Sequence, residues 1–179
     1  MTRRKRRRLK LQPVHEEISD LLDVPVEDDR FSCRKEARKK AMDFLARREY
    51  GQTELIRKLV DKGFDRSVAE QAITTLSQEN LQSDQRFAES FVQSRINQGK
   101  GPVRIRLDLG QRGISGGVID NALEEAAPDW HELAREIRVK KFGRAKPCDF
   151  KAKAKQMSFL QYRGFAPDHI QAAMEANDD

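Results

Sequence analysis

From Arg34 onward, apolar residues recur every three or four positions, and no stretch alternates polar and apolar as a half-buried strand would. The spacing predicts a helix over about 35–49, with Ala37, Ala41, Phe44 and Leu45 on one face. A second helix begins near Gly51 or Thr53, carries Leu55, Ile56, Leu59 and Val60, and stops at Lys62-Gly63-Phe64. A third, over about 66–79, carries Ala69, Ala72, Ile73 and Leu76. The same grammar then returns. Ser83 is a good N-cap for a helix bearing Phe87, Ala88, Phe91, Val92 and Ile96, and Ser115 suits one bearing Val118, Ile119, Ala122 and Leu123. Asp129 with Glu132 nearly matches a capping box, ahead of Leu133, Ala134, Ile137 and Phe142. A helix over about 149–162 holds Met157, Leu160 and Tyr162, and a last one, from Pro167, carries Ile170, Ala173 and Met174.

Between these lies the best-punctuated stretch, Arg95 to Ile114. Gly99 and Gly101 break what precedes, and Pro102 is pre-set for the first position of a helix. Gly113 fits the left-handed residue that closes a helix, and Ile114 the apolar contact after it. That stop has copies. Gly63-Phe64, Gly113-Ile114 and Gly164-Phe165 stand 50 and 51 residues apart, each preceded four residues earlier by Leu59, Leu109 or Leu160. Matching apolar positions also follow each glycine. The expected fold is therefore all-α: three tandem three-helix repeats stacked into an elongated curved solenoid, each repeat relying on its neighbours to complete a core. The expected divisions are a charged tail over 1–33 and repeats over 34–81, 82–128 and 129–179.

The composition agrees with thin helical layers: 37% of residues are hydrophobic and 36% charged. The net charge of +6 is unevenly distributed. Residues 1–10 carry seven basic groups and no acid, whereas 11–29 carry seven acids and no Lys or Arg, so the excess belongs to the repeat body. Within the tail, Val14, Ile18, Leu21 and Leu22 have helical spacing, compatible either with a short amphipathic helix over 14–23 or with disorder. No apolar run follows the basic start, so neither a signal peptide nor a membrane span is expected, and the protein is expected in the cytoplasm. Cys33 and Cys148 are far apart and are read as unpaired thiols of a reducing compartment.

Catalytic chemistry is not indicated. Gly99-Lys100-Gly101 lacks the Ser or Thr after the Lys and the earlier Gly of a phosphate loop. His15, His131 and His169 lie in separate segments without metal-ligand or triad spacing, so no enzyme activity, metal or other cofactor is expected. Basic clusters are the better signal, since a basic body suits a polyanionic partner. Between Arg95 and Arg112 stand Arg95, Lys100, Arg104, Arg106 and Arg112 against one acid, Asp108. The N-terminus of the helix at Pro102, with Lys100 beside it, is a candidate cradle for a phosphate or carboxylate. A denser patch over 135–155, net +7, includes Arg138, Lys140, Lys141, Arg144 and Lys146. Such a patch would bind phosphates without reading sequence. Phe142 and Phe150 are expected in the core rather than stacked on bases, and Trp130 is expected to anchor a helix start between the second and third repeats.

The run Arg95, Gly99-Lys100-Gly101-Pro102, Arg104-Ile105, Leu109 and Gly113-Ile114 resembles the signature of the bacterial regulatory RecX family. Ala41, Leu45, Arg48, Glu54-Leu55, Leu59 and Lys62-Gly63-Phe64 agree with it, as do Leu81, Asp84 and Phe87-Ala88. The resemblance covers about 34–176 and leaves the tail outside. It implies a negative modulator of the RecA recombinase that lies in the groove of the RecA filament on single-stranded DNA. Inhibition of ATP hydrolysis, strand exchange and co-protease activity would follow. The implied partners are the RecA filament, single-stranded DNA and, non-specifically, duplex DNA, with no membrane and a monomeric chain. The ten basic residues from Arg95 to Lys146 named above are the contact candidates, on charge and placement. The alternative is a free-standing DNA-binding regulator of the helix-turn-helix type, for which a recognition helix with base-reading side chains is missing.

Overall fold

The computed structural model describes residues 33–175, so the expected tail helix over 14–23 lies outside the described residues. Among these, all regular structure is helical, in three consecutive triplets. The first comprises α1 (Arg34–Leu45), α2 (Gln52–Val60) and α3 (Arg66–Gln78). The second comprises α4 (Asp84–Asn97), α5 (Pro102–Gly110) and α6 (Gly116–Ala126), and the third α7 (Trp130–Phe142), α8 (Phe150–Arg163) and α9 (Pro167–Glu175).

Each triplet closes on its own small core. Ala37, Ala41, Leu55, Leu59, Ala69, Ile73 and Leu76 meet in the first. Phe87, Val92, Ile105, Leu109, Ile119 and Ala122 meet in the second. Ala134, Leu160, Phe165, Ile170 and Ala173 form the third. The closest helix pairings are between first and third members of a triplet: α1 with α3, α4 with α6, α7 with α9. Trp130 packs against both the second and third cores, as its position at the start of α7 predicts.

The middle helix of every triplet ends in the same way. Gly63, Gly113 and Gly164 have φ of +96°, +81° and +87°. The following N–H reaches back to the leucine carbonyl: Phe64 to Leu59 at 3.1 Å, Ile114 to Leu109 at 3.2 Å and Phe165 to Leu160 at 3.2 Å. This is the Schellman closure, and it buries the apolar residue after the glycine.

Neighbouring triplets meet at the starts of α2 and α5, each covered by the triplet that follows it. At the first junction the Gln52 N–H donates to Asp84 Oδ1 at 2.8 Å, and Gln82, buried beside it, donates to the Tyr50 carbonyl at 3.1 Å. At the second, the Gly101 N–H donates to the Arg163 carbonyl at 2.9 Å and the Val103 N–H to the Gly164 carbonyl at 3.1 Å. A Cβ on Gly101 would lie 2.3 Å from Gly164 backbone atoms, so only glycine permits this approach.

Several expectations need correction. α1 ends at Leu45, four residues short of the expected 49, because the chain turns there to bring Tyr50 into the first core. Phe150 is 88% exposed rather than buried. α8 has 14 residues where α2 and α5 have nine, and Phe150 sits in the extra first turn, which overhangs the core. Tyr162, expected on the apolar face of α8, is 78% exposed. It stands two residues beyond buried Leu160, roughly 200° around the helix. Met157 is also exposed. Phe142 is half-buried and meets Phe159 edge to face at 5.3 Å.

Candidate nucleic-acid interface

At the first junction four arginines from three helices converge. Arg57 comes from the last turn of α2, Arg95 from α4, Arg104 from α5 and Arg112 from the turn after α5. Together with Asp108 and Gln111 they line a polar cavity of about 420 Å³. The convergence follows from local structure. Arg104 and Asp108 are four apart on α5 and pair at 2.9 Å, and the Schellman turn carries Arg112 back over Glu54 of the first triplet at 3.0 Å. Arg95 lies 3.8 Å from the other Asp108 oxygen and donates to Gln98 Oε1 at 2.8 Å.

Charge in the cleft is under-compensated. Asp108 serves both Arg95 and Arg104, while Glu54 serves Arg112 and, at 3.0 Å, Arg48. Arg57 makes no ion pair among the described residues, and the Arg95 Nε is buried without a hydrogen-bond partner. Phe91 supports the cluster: the guanidinium of Arg95 lies 4.5 Å from its ring centre and that of Arg112 5.2 Å. The planar forks are thus held in place, and planar forks suit phosphate oxygens.

Lys100 extends the cluster toward the third triplet. Burial, then the nearby charges of Arg163, Arg104 and Arg95, pull its pKa below that of an ordinary lysine, with Asp108 opposing. Arg163 itself donates to the Gln98 carbonyl at 2.9 Å. The amides at the start of α5 are already taken by the Arg163 and Gly164 carbonyls. The Gly101 and Val103 amides are therefore not open to the phosphate or carboxylate expected at that helix end.

Four of the sequence candidates thus come together: Arg95, Lys100, Arg104 and Arg112. Arg106 projects elsewhere and pairs with Asp120 of α6. Lys140, Lys141, Arg144 and Lys146 are at the end of α7 and in the loop after it, outside the cleft. Arg138 is corrected from surface to interior: it is 1% exposed, because it lies one turn after buried Ala134 on the core face of α7. Sequence reading missed Arg57, whose only signal was its place in a last helical turn.

His131, Asp168 and His169, apart in sequence, meet where α7 and α9 begin, with their ligand atoms within 4.8 Å of one another. The arrangement is a structural clasp. His169 Nδ1 accepts the Ala166 N–H at 3.3 Å, so the neutral ring holds its proton on Nε2, which faces Asp168 at 3.6 Å. Asp129 caps α7 by accepting the His131 and Glu132 N–H groups, both at 3.0 Å. The Glu132 amide, then the His131 amide, draws the Asp129 pKa below the usual carboxylate range against an opposing effect of desolvation. No helix among the described residues is long and apolar enough to cross a membrane.

Comparison with known proteins matches each triplet separately. Family models of the first, second and third three-helix domains of RecX match residues 37–76, 83–123 and 129–174. The regulatory protein RecX of Halorhodospira halophila is 44% identical over 139 residues, 78% of this chain and 86% of the relative. That of Pseudomonas fluorescens is 47% identical over 133 residues (74% and 86%), and that of Pseudomonas entomophila 41% over 161 residues (90% and 98%). A crystal structure of a regulatory protein RecX superposes with a TM-score of 0.70 at 26% identity, covering 80% of this chain and 72% of that one. RecX from Lactobacillus salivarius shares the fold, with a TM-score of 0.67 at 21% identity over 79% of this chain and 94% of that one.

Proposed function

This chain belongs to the RecX family of regulatory proteins, and from that premise we propose that it is a negative modulator of the RecA recombinase. It acts by binding, in the cytoplasm, to the RecA filament on single-stranded DNA. Seated in the filament groove, it inhibits ATP hydrolysis, strand exchange and co-protease activity. The observation that carries this reading is the match of all three triplets, in order, to the three RecX domains. The arginine cleft supports it, because a nucleoprotein groove presents phosphates beside protein. The helix-turn-helix alternative is weaker: α6 opens on Ser115-Gly116-Gly117 and offers no base-reading side chain there.

The test is DNA-dependent ATP hydrolysis by RecA, titrated with this protein well below one molecule per recombinase subunit. Hydrolysis should fall steeply. Unchanged hydrolysis at saturating protein refutes the reading.

A further inference from the structure

Tyr162 is out of place on structural grounds. It is 78% exposed, in the last turn of α8, and its hydroxyl makes no hydrogen bond among the described residues. Lys100 stands over it, its Nζ 5.9 Å from the ring centre. Lys100 belongs to the electrostatic cluster of Arg95 and Arg104, and Arg163, the residue after Tyr162, is tied to the Gln98 carbonyl at 2.9 Å. Arg95 holds the side chain of the same Gln98 at 2.8 Å. A basic series therefore begins at Arg57 in the first triplet, crosses the second, and ends at an open aromatic face in the third.

We propose that Tyr162 is a base-stacking position, and that it and the arginine cleft together hold a short run of single-stranded nucleic acid, with phosphates in the cleft and a base on the ring. The proposal rests on the filament reading above and names the part of the filament this surface meets. A basic groove with a solvent-facing aromatic ring is what a single strand needs: guanidinium groups take the backbone and the ring takes a base of any sequence. In a duplex the base faces are already stacked, so Tyr162 would gain nothing. An acidic protein segment would use the arginines but not the ring.

Fluorescence anisotropy on the full chain tests this, with labelled oligo(dT), an abasic oligomer of the same length and a duplex. Stacking on an aromatic ring strengthens single-strand binding whatever the base, so Tyr162→Ala should weaken oligo(dT) binding about tenfold. Its salt slope should not move, abasic binding should be unaffected, and Tyr162→Phe should restore the lost affinity. Arg57→Gln with Arg104→Gln should weaken both single-stranded ligands and lower the salt slope by about 1.4, the value for two phosphate contacts on a single strand. Wild-type affinity for oligo(dT) in Tyr162→Ala, an equal loss on the abasic oligomer, preference for duplex, or equal competition by polyglutamate would each overturn the proposal. RecA hydrolysis measured in parallel separates the two readings. Loss of wild-type inhibition sinks the filament reading alone, while intact inhibition with unchanged oligo(dT) binding by Tyr162→Ala sinks the stacking proposal alone.

Discussion

The Gly101 amide donates to the Arg163 carbonyl at 2.9 Å, so a backbone hydrogen bond joins residues from two different repeats. The junction is backbone packed on backbone, with no room for a side chain. Gly101→Ala should therefore destabilise the protein by about 3 kcal/mol, as overpacking against unyielding atoms does. Gly110, within α5, faces open space, with no atom within 4 Å of where a methyl group would stand. Gly110→Ala should instead stabilise by about 0.5–1 kcal/mol. Urea unfolding of the two variants reads the contrast directly.

Arg104→Gln together with Arg112→Gln should raise the amount of protein needed for half-inhibition of RecA hydrolysis about tenfold, since two phosphate contacts go. The loss of stability should stay near 1 kcal/mol, about what surface ion pairs contribute, because Arg104 is exposed and Arg112 only half-buried. Glutamine is the better choice than glutamate at position 112, where a new carboxylate would face Glu54. Titrated inhibition and an unfolding curve for the same preparation check both halves.

Asp108 gives an effect of opposite sign. It is the shared counter-ion of Arg95 and Arg104. Asp108→Asn releases both toward an incoming phosphate, so oligonucleotide affinity should rise about threefold, with a salt slope steeper by about 0.7. Stability should fall by about 1 kcal/mol as like charges lose their partner. Anisotropy across a salt series measures the gain.

His169 makes the third repeat sensitive to acid. Burial holds its pKa below the ordinary histidine value; Asp168 opposes this shift, His131 adds to it and Asp129 opposes it. Only the neutral ring can accept the Ala166 N–H at Nδ1. A folded pKa below the unfolded one, about 6.5, means stability that is present above that value and is lost as pH falls through the folded one. The unfolding midpoint should drop between about pH 7 and pH 5 more in the wild type than in His169→Asn. Equal drops would remove the role given to this histidine.

Replacing Lys140, Lys141 and Arg144 by glutamine should lower the salt slope by about 2 without changing the preference for oligo(dT) over an abasic strand. These groups stand at the end of α7 and in the following loop, and none of them lines the arginine cleft. A change in that preference would join the two surfaces into one.

The helical repeat was legible because its stop is local: Gly113 with Leu109 and Ile114 writes a Schellman turn within six residues, and Gly63 and Gly164 repeat it. Asp129 as a cap and Trp130 as an anchor were legible for the same reason. The cleft was only half legible. Arg95, Arg104 and Arg112 stand in one basic run, but Arg57 joins them through a junction that depends on how repeats dock. Arg138 looked like part of a surface patch because a charge run hides which residue shares a face with Ala134. Phe150 and Tyr162 misled in the opposite direction, since an aromatic at helical spacing reads as core until the helix's true length and rotation are known.

The junctions also impose an order of assembly on the nascent chain. The start of α2 is held by Asp84, and the start of α5 by the carbonyls of Arg163 and Gly164, each from the repeat made later. A ribosome emitting this protein from its N-terminus therefore releases each of these two helices with its first amides still bare, and they are satisfied only when the next repeat has emerged. Consolidation trails synthesis by about one repeat, so a chain stalled before the third repeat carries an unfinished helix start at its growing end.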